Sequence, residues 1–132
     1  MKIAAITDDG RGISQHFGRA PYYLVLTVEN GGIVNRELRD KLGHNNFADQ
    51  PHEPEAPGQL HGFGRASQDR HARMSEAIAD CQVLLCGGMG AGAYESMRAR
   101  GIKPVVTDIL SIDEAVRAHI EGKLVDHTEM LH

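Results

Sequence analysis

The run Val83-Leu84-Leu85-Cys86, followed at once by Gly87-Gly88-Met89-Gly90-Ala91-Gly92-Ala93, constrains this chain more than any other segment. A strand with one wet face alternates apolar and polar residues, so four consecutive apolar residues describe a central strand covered on both faces. The glycines then turn the chain, and a helix is predicted to run to about Arg100. Gly101 suits the C′ position of that helix, and Lys103-Pro104-Val105-Val106-Thr107 reads as a short strand with proline near its start. Strand, glycine turn, helix and strand form a βαβ unit, which places the chain in the α/β class.

The remaining segments fit around that unit. Lys2 to Thr7 reads as a buried strand ended by Asp8-Asp9-Gly10-Arg11-Gly12. Tyr22 to Glu29 and Ile33 to Leu38 are rich in β-formers and flank Asn30-Gly31-Gly32, a hairpin pattern. Met74, Ala77, Ile78 and Cys81 fall at helical spacing and predict an amphipathic helix from about Ser67 to Asp80. Ser111-Ile112-Asp113-Glu114 is a capping box opening a last helix to Gly122, with Ile112, Ala115, Val116 and Ile120 as its buried stripe. The tail past Asp126 is read as frayed. The sum is a three-layer α/β domain, a mixed five-stranded sheet with helices on both faces. At 132 residues, a single domain is expected, burying roughly two thirds of its extended-chain surface.

Between residues 40 and 66 the periodicity disappears, and Pro51, Pro54, Pro57, Gly58, Gly62 and Gly64 punctuate a polar loop. A connection beyond about 12–15 residues is functional or disordered, and both readings stand. It carries His44, His52 and His61, with His71 just after it. These histidines lack the short paired spacing of a zinc finger, so they read either as a solvated loop or as donors that converge on a transition metal.

The formal charge of −4 and the absence of a Lys/Arg cluster argue against nucleic acid as a partner. Cys81 and Cys86 are too few for a disulfide framework and sit in or beside apolar sequence, which fits thiols in a reducing cytoplasm. No signal segment is expected, and no apolar stretch reaches the roughly 20 residues of a membrane helix, so no membrane partner is expected either.

Ligands of α/β sheets bind beyond the carboxyl ends of parallel strands. That rule gathers the Asp8 to Arg19 loop, the Gly87 to Gly92 turn and Thr107-Asp108 at one rim. In Ile13-Ser14-Gln15-His16-Phe17-Gly18-Arg19-Ala20, His16 is either a hydrogen-bonded loop histidine or a metal ligand. Cys86 and Met89 fall within its expected reach. A cysteine there is either a soft thiolate donor, its pKa lowered by the following helix start, or a small core residue. The glycine turn either packs strand against helix or cradles an anion with its amides, helped by Arg11 or Arg19. It lacks the lysine and hydroxyl of a P-loop. Asp8, Asp9 and Asp108 invite comparison with a two-metal nuclease, but no further carboxylates complete such a site. Asp8 and Asp9 favour the turn, and Asp108 accepts hydrogen bonds near the last helix. His119 complements a helix dipole, and His127 and His132 belong to the tail.

With HFGRA at His16–Ala20, GGMGAGA at Gly87–Ala93 and TDI at Thr107–Ile109, the chain resembles the dinitrogenase iron-molybdenum cofactor biosynthesis family over about Met1 to Glu121. The resemblance implies a ribonuclease H-like fold. It also implies a non-enzymatic binding or carrier protein for an iron-sulfur or iron-molybdenum type cofactor, working with metallocluster assembly or acceptor proteins. In the family's carriers the histidine of the HFG motif, here His16, is implicated in holding the cofactor. The expected cofactor-binding set is therefore His16, Phe17, Gly18, Arg19, Cys86, Gly87, Gly88, Met89 and Gly90, with His16 and Cys86 as metal ligands and His44, His52, His61 and His71 as further candidates. Cys86 departs from the small apolar residue expected in the family. The alternative from another class is a regulatory or scaffolding domain that docks on a protein without metal. Oligomeric state is left open.

Overall fold

A computed structural model describes residues 1–41 and 72–131. The expectations for the 40–66 loop beyond residue 41, for His44, His52, His61 and His71, and for His132 lie outside the described residues.

Among the described residues, five strands form one sheet: β1 Lys2–Thr7, β2 Tyr22–Glu29, β3 Gly32–Asp40, β4 Val83–Cys86 and β5 Lys103–Val106. Their spatial order is β3-β2-β1-β4-β5. β1 to β3 run antiparallel to their neighbours as a meander, and β1, β4 and β5 are parallel. The mixed sheet follows from the sequence. Asn30 and Gly31 both adopt positive φ, 52° and 79°, the requirement of a tight hairpin turn whose twist matches its strands. The parallel strands need crossovers, and helices supply them. The α-helices among the described residues are α1, whose described residues are 72–76, α2 Ala91–Ala99 and α3 Ile112–Ile120.

Side chains on the two faces of the β2–β3 hairpin show that helical segments cover both. The buried Tyr23 donates to the Met74 carbonyl at 2.8 Å, and its cross-strand neighbour Arg39 donates to the Ala77 carbonyl at 2.9 Å. On the other face Arg36 forks onto Asp113 of α3 at 2.6 and 3.2 Å. All four residues of β4 are buried, as a strand sandwiched on both faces should be. Leu84 and Leu85 are fully enclosed, so truncating either to alanine would cost about 2–5 kcal/mol.

Two segments differ from expectation. The helix predicted to reach Asp80 gives way after residue 76 to a turn, in which Ile78 and Ala79 donate three residues back to Ser75 and Glu76. That tightening still buries Met74, Ile78 and Cys81. The tail is ordered rather than frayed, because β5 is an edge strand whose outward backbone groups need partners. The Asp126 carboxylate accepts from Val106 N–H at 2.8 Å and from the Tyr94 hydroxyl at 2.6 Å, and His127 N–H donates to Val106 O at 2.8 Å. The N-cap bond expected of that segment forms, with Ser111 Oγ accepting from Glu114 N–H at 3.3 Å.

Candidate functional site

The rim is assembled from the end of β1 outward. Thr7 Oγ1 accepts the Gly10 amide at 2.8 Å, and the Asp9 carboxylate accepts the amides of Arg11 and Gly12 at 2.9 and 3.0 Å. Those amides hold Asp9 below its ordinary pKa. Asp9 is thereby a turn-making carboxylate, as expected. Ile13 N–H then donates to Leu110 O at 2.8 Å, and Ser14 N–H to Ile6 O at 2.9 Å, which swings the chain across the carboxyl end of the sheet.

The His16 turn is next fastened to the glycine turn. Gly87 N–H donates to Ser14 O at 2.9 Å, and Phe17 N–H to Gly88 O at 3.0 Å. The His16 carbonyl accepts the amides of Arg19 and Ala20, both at 3.1 Å, and its own N–H donates to Ser14 Oγ at 3.2 Å. Phe17 is buried beneath the turn with the Lys41 ammonium 4.4 Å from its ring centre, and that ammonium also donates to Phe17 O. Every anchor is backbone or a neighbouring side chain. The His16 side chain is left exposed, as are Gln15, Gly18 and Arg19.

Two glycines of the motifs are explained differently. A Cβ on Gly87 would lie 2.9 Å from Ser14 O and 2.7 Å from the Gln15 side-chain nitrogen, so glycine is required for the two turns to meet. A Cβ on Gly18 would meet nothing within 4 Å, and Gly18 has no positive φ. Folding places no demand for glycine there, and the space above it is open.

The glycine turn leads into α2, whose N-cap Gly90 offers no side-chain cap and whose first turn contains no acidic residue. The positive end of this helix is therefore uncompensated by its own side chains, close in sequence to Gly88, which holds Phe17. Cys86 is placed differently from His16. It is fully buried, its Sγ 3.7 Å from Val105 O and 3.9 Å from Met89 Sδ, and Met89 is buried too. Burial pushes the Cys86 thiol up to about 12, overriding the lowering expected from the helix start. The structure thus joins Phe17, Gly87 and Gly88 to the His16 turn and keeps Cys86 and Met89 in the core behind it.

The other described histidines stand on α3 and in the tail. His119 is half-buried, and burial with nearby Lys103 lowers its pKa, which favours the neutral ring over the expected dipole-complementing cation. His127 stands 2.9 Å from Glu129 and 3.9 Å from Asp108. Among the described residues no three His, Cys, Asp or Glu side chains are grouped to hold a metal ion. A groove of about 440 Å³ beside Arg36, Asp113 and Arg117 lies by the β2–β3 turn, at the other end of the sheet from His16. Lys41 was not signalled by any motif; only its place directly after a strand marks it. No helix among the described residues is long and apolar enough to cross a membrane.

Over 124 residues the chain is 30% identical to the uncharacterized protein MJ0580 of Methanocaldococcus jannaschii, covering 94% of this chain and 89% of that one. The crystal structure of PH0822 superposes with a TM-score of 0.64 at 24% identity, covering 96% of both chains. The apo orange protein of Desulfovibrio gigas superposes at 0.63 and 20% identity, over 93% of this chain and 89% of that one. These two structures share the fold. The profile described as dinitrogenase iron-molybdenum cofactor matches residues 1–122, taking in all three rim motifs, and the chain belongs to that family.

Proposed function

We propose that this protein is a non-enzymatic carrier that binds an iron-sulfur or iron-molybdenum type cluster as cargo through His16 and passes it between metallocluster assembly and acceptor proteins. The observation that carries the reading is the fastening of an exposed His16 to a buried frame through Ser14, Phe17, Gly87 and Gly88. A rigid backbone under a free imidazole preorganises a ligand. One donor suits a cargo that must also leave. Clusters of this kind are commonly anionic, so the uncapped start of α2 and the exposed Arg19 favour their approach, and the open space over Gly18 admits them. Cys86 supports the frame as a packing residue in this reading.

The test is anaerobic mixing of apo protein with isolated cluster, followed by gel filtration with metal analysis. Iron, and molybdenum where supplied, should co-elute with wild type and with Cys86→Ala. The loss in His16→Ala should exceed the roughly 10–100-fold that removing an outer-shell partner costs. Equal retention by all three proteins would remove His16 from the mechanism. A docking domain without metal is the second reading, favoured by Leu110, which is 65% exposed although its carbonyl anchors the loop at Ile13. Metal analysis of anaerobically purified protein separates the two.

A further inference from the structure

The two edges of the sheet are finished differently. At β5, Pro104 has no amide to offer, and Val106 is satisfied on its outer side by Asp126 and His127, both at 2.8 Å. The chain closes that edge itself. β3 forms the other edge, and Val34, Asn35, Arg36, Glu37 and Leu38 are all exposed.

Pairing with β2 fixes which backbone groups of β3 look outward. Val28 N–H donates to Met1 O at 2.8 Å, so the even-numbered residues of β2 bond to β1, while Tyr23, Val25 and Thr27 face β3. Their partners are Arg39, Glu37 and Asn35. The N–H and C=O groups of Arg36, Leu38 and Asp40 therefore point away from the sheet. No hydrogen bond from another described segment reaches them.

The sequence of this edge is self-complementary about Leu38. An identical strand laid antiparallel and centred there sets Arg36 against the partner's Asp40 and Glu37 against the partner's Arg39, opposite charges directly across each time. The same register brings the outward-bonding residues 36, 38 and 40 onto one another. A one-residue slip breaks both matches at once. Edge charges ordinarily repel a neighbouring strand, but here their order attracts a copy of itself.

We propose that β3 is a homodimerisation edge, at which two copies pair antiparallel through residues 36–40 about a two-fold axis at Leu38 and extend one sheet across both. The occupant is a second copy because charge order and hydrogen-bond set are each self-matching. The guanidinium groups are already held, Arg36 by Asp113 at 2.6 Å and Arg39 by Asp80 at 2.7 Å, which lowers the entropy cost of ordering them. Asp40 has no ion pair among the described residues and is available to the partner. Lys41, which follows directly, donates to Phe17 O, so the interface adjoins the His16 turn.

Sedimentation velocity on the full chain tests this. Wild type should be dimeric at micromolar concentration, and Leu38→Pro, which removes an outward N–H that β2 does not use, should be monomeric with an unchanged circular-dichroism spectrum. Should that variant fail to fold, surface charge variants carry the test. Arg36→Asp and Asp40→Lys each place like charges across the axis twice, which should weaken self-association by about tenfold or more. Mixing the two variants restores opposite charges at both positions and should restore a dimer. A wild type that stays monomeric at millimolar concentration overturns the proposal. So does a dimer indifferent to the single charge changes, or a mixture that fails to recover.

Discussion

A methyl group at position 87 has nowhere to go. The Cβ of Gly87→Ala would sit 2.9 Å from the Ser14 carbonyl, a backbone atom held by its own neighbours. The variant should lose about 1–3 kcal/mol in urea unfolding and, with His16 intact, still retain less cluster, because the turn beneath the imidazole is displaced. Retention equal to wild type would mean that the fastening is irrelevant to binding. Cys86 gives a second residue-scale test. Burial raises both Cys81 and Cys86 to about 12, so neither should be alkylated at pH 8 in the native protein and both should react after unfolding. Rapid modification of native Cys86 would return it to the rim. At this scale the sequence was readable only in part. His16 stood out through its motif and Gly87 through its run. Which of them touches solvent depended on side-chain burial, a tertiary property that local spacing does not encode. Lys41 was hidden for the same reason, since a lysine after a strand is ordinarily solvated.

Elements are joined by polar contacts as well as by the core. Asp80, in the turn after α1, accepts from Lys2 at 3.1 Å and from Arg39 at 2.7 and 2.9 Å, tying the start of β1 to the end of β3. The Arg39 guanidinium, helped by Lys2, holds the Asp80 carboxyl well below its ordinary range. A depressed folded-state pKa contributes stability above the unfolded value near 3.8 and loses it as pH falls. Asp80→Asn should therefore destabilise at neutral pH by about 1 kcal/mol or less, because the group is half exposed and screened. The gap between wild type and variant in denaturant titrations should close below pH 3.8, and a constant gap would refute the linkage. Elements were the most legible scale. The hairpin declared itself through Asn30-Gly31, β4 through its unbroken apolar run and α3 through its capping box. The end of α1 and the C-terminal tail were misread, since Asp126 and His127 take their positions from the unpaired edge of β5, a partner distant in sequence.

For the whole molecule, the order β3-β2-β1-β4-β5 puts the His16 loop, the glycine turn and the end of β5 at one end of the sheet. The sequence predicted that convergence because parallel strands share a carboxyl rim. It left Cys86 open between soft donor and core residue; the structure divides the rim into an exposed imidazole and a buried thiol, and the carrier reading rests on that division. Pulsed EPR on cluster-loaded protein grown with isotopically labelled histidine tests it most directly. Hyperfine coupling from a histidine nitrogen should be present in wild type and in Cys86→Ala and absent in His16→Gln. Coupling that persists in His16→Gln, or that vanishes in Cys86→Ala, would show that the cluster is not held by the exposed imidazole.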